Sequence, residues 1–126
     1  MKYFNYKDEN LTSENMSIAD IATEVQTPFY CYSANAFKNN FNALKNAFKE
    51  INPKICYATK SNSNLSILNL LQKEGAGADV VSVGELKKSL IAGIMPHDIV
   101  FSGVGKTSDE IEFATVSYTH LRAHET

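Results

Sequence analysis

The sequence predicts an α/β fold built on parallel strands, and two observations support that prediction. From residue 55 onward, short apolar runs typical of buried strands alternate with segments of helical periodicity, in the order β-α-β-α-β-α. The connections are short, so each helix must return the chain to the start of a neighbouring parallel strand. Units of this kind fit a (β/α)8 barrel and a doubly wound sheet equally well.

The first part of the chain precedes this pattern. Residues 1–16 are polar with scattered aromatics, and we interpret them as an arm that pairs with something else rather than as a unit of its own. A short helix is predicted over 17–25, capped by Ser17. An aromatic-rich strand is predicted over 29–33, and a helix over 34–51. The apolar stripe of that helix is interpreted as core packing and comprises Phe37, Phe41, Leu44, Phe48 and Ile51.

The later elements follow from the repeating pattern. Strands are expected at 55–60, 78–82 and 99–102. Helices are expected at 65–73 and 84–92, together with one that begins near Asp109 after a cap at Thr107 or Ser108. The glycines at 75, 77 and 93 are expected to end the first two of these helices.

The composition limits the possible function classes. The chain has 126 residues, of which 44% are hydrophobic and 21% charged, which is typical of one globular domain. A net charge of −2 without a basic cluster gives no indication of a nucleic-acid or membrane partner. Neither a bilayer-spanning run nor the apolar core of a signal peptide is visible, so we expect a cytoplasmic protein. Cys31 and Cys56 are expected to be reduced, buried thiols, and no metal site is predicted.

Lys60 is the candidate reactive residue. Alternation along a strand would place Cys56, Ala58 and Lys60 on one face, with an amine at the carboxyl end of the strand. Chemistry in parallel α/β folds takes place at that end, and the two small residues would leave room for a planar ligand. Asp79 would share this neighbourhood. The alternative is that Lys60 is merely solvated and Asp79 is an acid in a turn.

Other candidate features have simpler explanations. Gly103 to Thr107 resembles a nucleotide-binding loop, but the glycine that such a loop needs at position 100 is a valine. Glu85 is interpreted as a charge that favours the dipole of the helix it begins. The tyrosines at 30, 32 and 57 are interpreted as packing aromatics.

Four segments together resemble one known family. They are Thr-Pro-Phe-Tyr-Cys-Tyr-Ser at 27–33, Cys-Tyr-Ala-Thr-Lys-Ser-Asn at 56–62, Gly-Ala-Gly-Ala-Asp-Val-Val-Ser-Val-Gly-Glu-Leu at 75–86 and Ile-Val-Phe-Ser-Gly-Val-Gly-Lys-Thr at 99–107. In this order they are similar to the N-terminal part of the diaminopimelate decarboxylases, a family of alanine-racemase-like, fold-type III pyridoxal-phosphate enzymes. Thr59 and Ser61 replace the more usual Val and Ala beside the lysine, and Val83 replaces a usual Gly.

The resemblance implies a fold and a set of site residues. The fold would be the N-terminal portion of a pyridoxal-phosphate-binding (β/α)8 TIM-type barrel, with about three of the βα units present and the C-terminal β-domain missing. Residues 1–33 would be an arm and strand that pair with that missing domain, and residues 34–115 the partial barrel. Lys60 would be the catalytic residue and would hold the cofactor as a Schiff base. Ala58 and Asp79 would be further cofactor-binding residues.

The resemblance also implies an activity. The full-length protein would be a homodimer that decarboxylates meso-2,6-diaminopimelate, a small-molecule amino-acid substrate, to L-lysine, and this fragment alone would be inactive. Two alternatives stay open. The first is a polyamine-pathway decarboxylase acting on ornithine, arginine or carboxynorspermidine. The second is a non-catalytic pyridoxal-phosphate-binding barrel, against which the arm at 1–33 argues.

The last residues do not continue the pattern. Residues 116–126 resemble a translated sequencing-library adapter, so we expect a non-native tail. His120 and His124 are four residues apart, but they belong to this tail and are not predicted to bind a metal.

Overall fold

The computed structural model describes residues 3–117 and 119–122. The chain divides into two compact units, Met1–Asn40 and Phe41–Thr126. Within the described residues, one sheet of three strands lies in the first unit and one sheet of four strands lies in the second. Among these residues, no helix has the length and apolar character needed to cross a membrane.

The first unit begins with an antiparallel sheet of three strands. These are β1 (Phe4–Lys7), β2 (Asn10–Ser13) and β3 (Met16–Ser17). The hairpin between β1 and β2 turns through Asp8 and Glu9, which both have positive φ angles, as a two-residue hairpin of this hand requires. The backbone groups of this arm pair with one another, and the interpretation of residues 1–16 as an arm rather than a unit of its own stays a prediction. Pairing with a further domain stays a prediction.

The helix of the first unit is confirmed, and the strand after it is not. Helix α1 (Ile18–Val25) begins at Ser17, whose hydroxyl accepts a hydrogen bond from the Asp20 amide. No strand forms over 29–33, because a strand needs a partner and none of the described residues pairs with this segment. Tyr30 is 90% exposed and, among the described residues, stacks on Tyr32 with ring centroids 6.4 Å apart, so it is not the packing aromatic that we expected.

Helix α2 (Ala34–Ala47) is followed by a single 3-10 turn over Lys49–Ile51. Its predicted core stripe is largely wrong as an account of packing. Phe41 is buried, but Leu44, Phe48 and Ile51 are 47%, 49% and 72% exposed. The helical spacing of these residues is real, yet within the described residues nothing covers the far end of the stripe.

The second unit is built on a parallel sheet. Its strands are β4 (Cys56–Ala58), β5 (Gly77–Val80), β6 (Ile99–Phe101) and β7 (His120–Leu121). They pair in chain order, β4-β5-β6-β7. A doubly wound sheet reverses its strand order, whereas a barrel adds each new strand on the same side. Since no reversal occurs in the described sheet, its topology is that of a barrel segment.

Three helices connect and cover these strands. They are α3 (Leu65–Lys73), α4 (Val83–Ile91) and α5 (Ser108–Val116). Side-chain oxygens of Asn64, Ser82 and Thr107 cap them, and Thr107 forms a full capping box with Glu110. The core lies between one face of the sheet and the helices. It consists of Ala78, Val80, Leu86, Ile94, Ile99, Phe101 and Ala114.

The tail forms a short strand. His120 and Leu121 pair with the edge of β6, and the Arg122 amide donates to the Phe101 carbonyl at 3.1 Å. The unpaired edge of a sheet can accept almost any extended segment, because the contact uses backbone atoms alone. The non-native origin of residues 116–126 stays a prediction, and residue 118 and residues 123–126, with His124, lie outside the described residues.

A carboxylate organises the start of α2 within the first unit. Glu14 Oε1 accepts hydrogen bonds from Ser33 Oγ at 2.6 Å and from the Asn35 amide at 2.8 Å. Ser33 is buried, and its hydroxyl oxygen accepts from the Ala36 amide at 3.0 Å. The Ser33 hydrogen bond, followed by that of Asn35, lowers the pKa of the Glu14 carboxyl below its ordinary value.

We therefore expect a pH dependence at the start of α2. Because the pKa of Glu14 is lower in the folded chain, its contribution is complete above the ordinary carboxyl pKa and is lost as the pH falls through the folded value. Hydrogen exchange at the Asn35 amide, corrected for its intrinsic rate, should accelerate across that acidic range. The Glu14→Gln variant should lose this acid transition. An acid transition of unchanged size in the variant would contradict the assignment.

Candidate active site

The register of the parallel strands aligns three residues across the sheet. Ala58 lies opposite Asp79, and Asp79 lies opposite Val100. Because the strands are parallel, their carboxyl ends reach one edge of the sheet. Ser102 follows the end of β6 directly, and Lys60 is the second residue after the end of β4. The candidate site residues at the carboxyl ends of these strands therefore lie along one edge of the sheet.

Lys60 does not lie on the strand itself. The predicted strand over 55–60 ends at Ala58, and residues Thr59–Ser61 form a 3-10 turn. Ser61 Oγ lies 2.7 Å from the Ala58 carbonyl and occupies the backbone acceptor that a continuing strand would use. The expected alternation therefore holds for Cys56 and Ala58 but stops before Lys60.

The sheet face that carries Ala58 is lined by small groups. The opposite face holds the buried residues Ala78 and Val80 of the core. On the Ala58 face, Gly77 has no space for a side chain, because a Cβ atom there would lie 2.3 Å from the Asp98 carbonyl oxygen and 2.9 Å from Cys56 Sγ. The small residues on this face leave space for a flat ligand, as a planar cofactor ring requires.

The Lys60 amine is available for reaction. Its side chain is exposed, and in the described part of the chain no residue forms a hydrogen bond or ion pair with it. Two other lysines of this unit have partners: Lys88 Nζ donates to Ser63 Oγ at 2.9 Å, and Lys106 Nζ donates to the Arg122 carbonyl at 3.0 Å. An amine without a partner at a strand end can attack the aldehyde carbon of a ligand.

Asp79 is half-buried on β5, and its carboxylate has a defined partner. Its Oδ1 accepts a short hydrogen bond from the Ser102 hydroxyl, which follows β6. Its proximity to the Lys60 amine stays a prediction. Sequence reasoning missed Ser102, although its place immediately after a strand was the available signal.

Glu85 has a larger role than the predicted helix charge. It is the third residue of α4, and its amide donates to the capping Ser82 hydroxyl at 3.3 Å. Its Oε2 atom also accepts hydrogen bonds from Thr59 Oγ1 at 2.6 Å and from the Val81 amide at 2.9 Å. The residue before Lys60 is thus joined to the start of α4, a contact between distant segments that the sequence did not indicate.

The cysteines and possible metal ligands add no further chemistry. Cys31 and Cys56 are free, but both are half-buried rather than buried as expected. Burial raises the pKa of the Cys56 thiol, which keeps it protonated and unreactive near neutral pH. In the described ranges, no three His, Cys, Asp or Glu side chains are grouped so that they could hold a metal ion.

A parallel barrel segment that presents a free lysine at the carboxyl edge of its strands is the arrangement of a pyridoxal-binding domain. The family model described as "Pyridoxal-dependent decarboxylase, pyridoxal binding domain" matches residues 34–122. The chain belongs to this family of pyridoxal-dependent decarboxylases. The predictions of the cofactor, pyridoxal phosphate, and of a partial (β/α)8 barrel are thereby confirmed.

Individual relatives agree. The chain is 44% identical over 115 residues to the diaminopimelate decarboxylase of Vibrio cholerae serotype O1, an alignment that covers 90% of this chain and 28% of that protein. A crystal structure of an Aquifex aeolicus protein is 41% identical, with a TM-score of 0.92, and the match covers 98% of this chain and 30% of that one. The diaminopimelate decarboxylase of M. jannaschii in complex with L-lysine is 32% identical, with a TM-score of 0.90, covering 95% of this chain and 29% of that one.

The close approach at Gly77 gives a stability prediction. Gly77→Ala should lower the free energy of unfolding by about 1–3 kcal/mol, because its Cβ would clash with a backbone oxygen that cannot move freely. Gly84→Ala is the matched control, since the atom nearest to its Cβ is Ser82 Oγ at 3.8 Å and alanine favours the helix. Urea unfolding of the three proteins measures the difference. Equal stability of the two variants would contradict the packing described at Gly77.

Proposed function

We propose that this chain supplies the pyridoxal-binding part of a decarboxylase that converts meso-2,6-diaminopimelate to L-lysine. The chain spans less than a third of the length of the relatives that it matches, so the activity is that of the longer protein. The observation that best supports the proposal is the free amine of Lys60 at the carboxyl edge of the parallel sheet. The lysine complex of the M. jannaschii relative supports the substrate class, since lysine is the proposed product.

We assign the roles within the site as follows. Pyridoxal phosphate, when bound, supplies an electron sink for the pair of electrons released as the substrate loses CO2. Lys60 would hold the cofactor through Nζ, and its amine, when free, would accept or donate a proton. Ala58, the neighbouring small residue, leaves the face of the sheet open to the ring. Asp79, fixed by Ser102, adds a negative charge at the same edge.

The site is incomplete in this chain. The described sheet has three strands of the βα pattern and the short β7, whereas a closed barrel of this kind needs eight strands. Substrate-binding and proton-donating groups must come from other parts of the longer protein, which we propose is a homodimer. The 126-residue chain alone is therefore expected to be inactive.

The activity prediction is tested on the full-length gene product. Release of CO2 from meso-diaminopimelate should depend on pyridoxal phosphate and should exceed release from ornithine or arginine by at least about 100-fold. The reason is that polar groups of the site that bind the second amino-acid end of diaminopimelate would be left unpaired by a substrate without that end. Lys60→Ala should abolish turnover. The control Lys73→Ala changes an exposed lysine on α3 and should retain full activity.

Three results would contradict the proposal. Preferred turnover of ornithine or arginine would favour the polyamine-pathway alternative. Cofactor binding without decarboxylation of any amino acid would favour the non-catalytic barrel. Turnover by the 126-residue chain well above the rate with pyridoxal phosphate alone would contradict the expected inactivity of the fragment.

A further inference from the structure

We propose that the hydroxyl groups of Thr59 and Ser61 are positioning groups that fix the direction in which Lys60 presents its amine. This inference rests on the proposed function, because it concerns the residue that holds the cofactor. Lys60 is the middle residue of a 3-10 turn of three residues. Such a short turn has poor hydrogen-bond geometry of its own, so its orientation depends on what holds the residues on either side.

Thr59 holds the turn from the side of the strand. Its side chain is 0% exposed, and Oγ1 lies 2.9 Å from the Asp79 carbonyl oxygen and 2.6 Å from Glu85 Oε2. The hydroxyl has one proton, and the shorter contact to a carboxylate indicates that Glu85 receives it. Since Glu85 is also bound to the Val81 amide, Thr59 is tied both to the end of β5 and to the start of α4.

Ser61 holds the turn from the other side. Its Oγ lies 2.7 Å from the Ala58 carbonyl oxygen, which closes the turn back onto the end of β4. The same hydroxyl lies 3.0 Å from Tyr57 Oη, and that phenol lies 3.3 Å from the Asn62 carbonyl oxygen. Tyr57, which the sequence indicated only as a packing aromatic, therefore extends the hydrogen-bonded chain to the residue after the turn.

The two hydroxyls thus restrain the backbone on both sides of a lysine whose own amine has no partner among the described residues. A restrained backbone limits the positions that the four-carbon side chain can reach, and a reaction with a bound aldehyde depends on that restriction.

The test is the rate at which pyridoxal phosphate is captured by the cofactor-free full-length gene product. Lys60 Nζ forms a C=N bond to the aldehyde carbon, the aldehyde oxygen leaves as water, and added borohydride supplies the hydride that fixes the product. Peptide mass spectrometry then compares Lys60 with Lys73, an exposed lysine on α3 that serves as the internal reference.

We expect Thr59→Val to slow capture at Lys60 by about tenfold, the effect of losing one hydrogen bond to a charged group, while capture at Lys73 is unchanged. Thr59→Ser keeps the hydroxyl and should restore the rate to within about twofold of the parent chain. Ser61→Ala, at an exposed position that tolerates truncation, should also slow capture at Lys60. Equal rates in the parent, Thr59→Val and Ser61→Ala chains would overturn the positioning proposal and leave the proposed function intact.

A second measurement separates the two hypotheses. If Lys60 in the parent chain reacts no faster than Lys73, the proposed function is contradicted, and hydrogen exchange then decides the positioning proposal. The Lys60 and Ser61 amides should exchange about tenfold faster in Thr59→Val than in the parent chain, with Thr59→Ser restoring protection. Unchanged exchange at both amides would overturn the proposal. Amides of β6 serve as the control for the overall fold.

Discussion

The parallel register of β4, β5 and β6 is the constraint on which the rest of the second unit depends. It pairs Cys56 with Gly77 and Ala58 with Asp79, so that the ends of successive strands meet at one edge. This register requires a residue without a side chain at position 77, because a Cβ atom on Gly77 would clash with the Asp98 carbonyl oxygen. A shift by one residue would also exchange the two faces of a strand and move Ala78 out of the core. The position of Lys60 therefore depends on packing at Gly77 and Ala78, which lie away from the carboxyl edge of the sheet.

The chemistry of the site is a second consequence of this arrangement. Short loops after parallel strands bring together residues that are far apart in the chain, as with Thr59 and Glu85 or with Asp79 and Ser102. Each pair holds a polar group in a half-buried place, where it must find a partner to offset the loss of water. Lys60 is the exception, because its side chain is exposed and its amine has no partner among the described residues. The exposed Lys60 is thus surrounded in the fold by residues whose positions are fixed by hydrogen bonds.

Local signals in the sequence predicted most of the fold. Caps at Ser17 and Thr107 and the turn at Gly93, with its positive φ, depend on neighbours within a few residues, so the ends of their helices were predictable. Failures occurred where the outcome depended on distant or absent partners. The segment at 29–33 has strand character but no pairing partner, and the far end of the α2 stripe has nothing to pack against in the described residues.

The candidate site was predictable in identity but not in geometry. Lys60 stood out because an amine follows an apolar strand, yet the strand pattern alone could not show that Ser61 would end the strand at Ala58 through a side-chain hydrogen bond. Glu85 fitted the simple interpretation of a helix-terminal acid equally well. Only the three-dimensional contact with Thr59 distinguishes it from any other acid in the first turn of a helix.

The most direct test of this account is a crystal structure of the chain grown with pyridoxal phosphate. We expect continuous electron density from Lys60 Nζ into the cofactor, on the sheet face that carries Ala58, with Thr59 Oγ1 still bonded to Glu85. Density for the cofactor on a different lysine, or on the face covered by the helices, would contradict the central claim that the strand edge at Lys60 is the cofactor site.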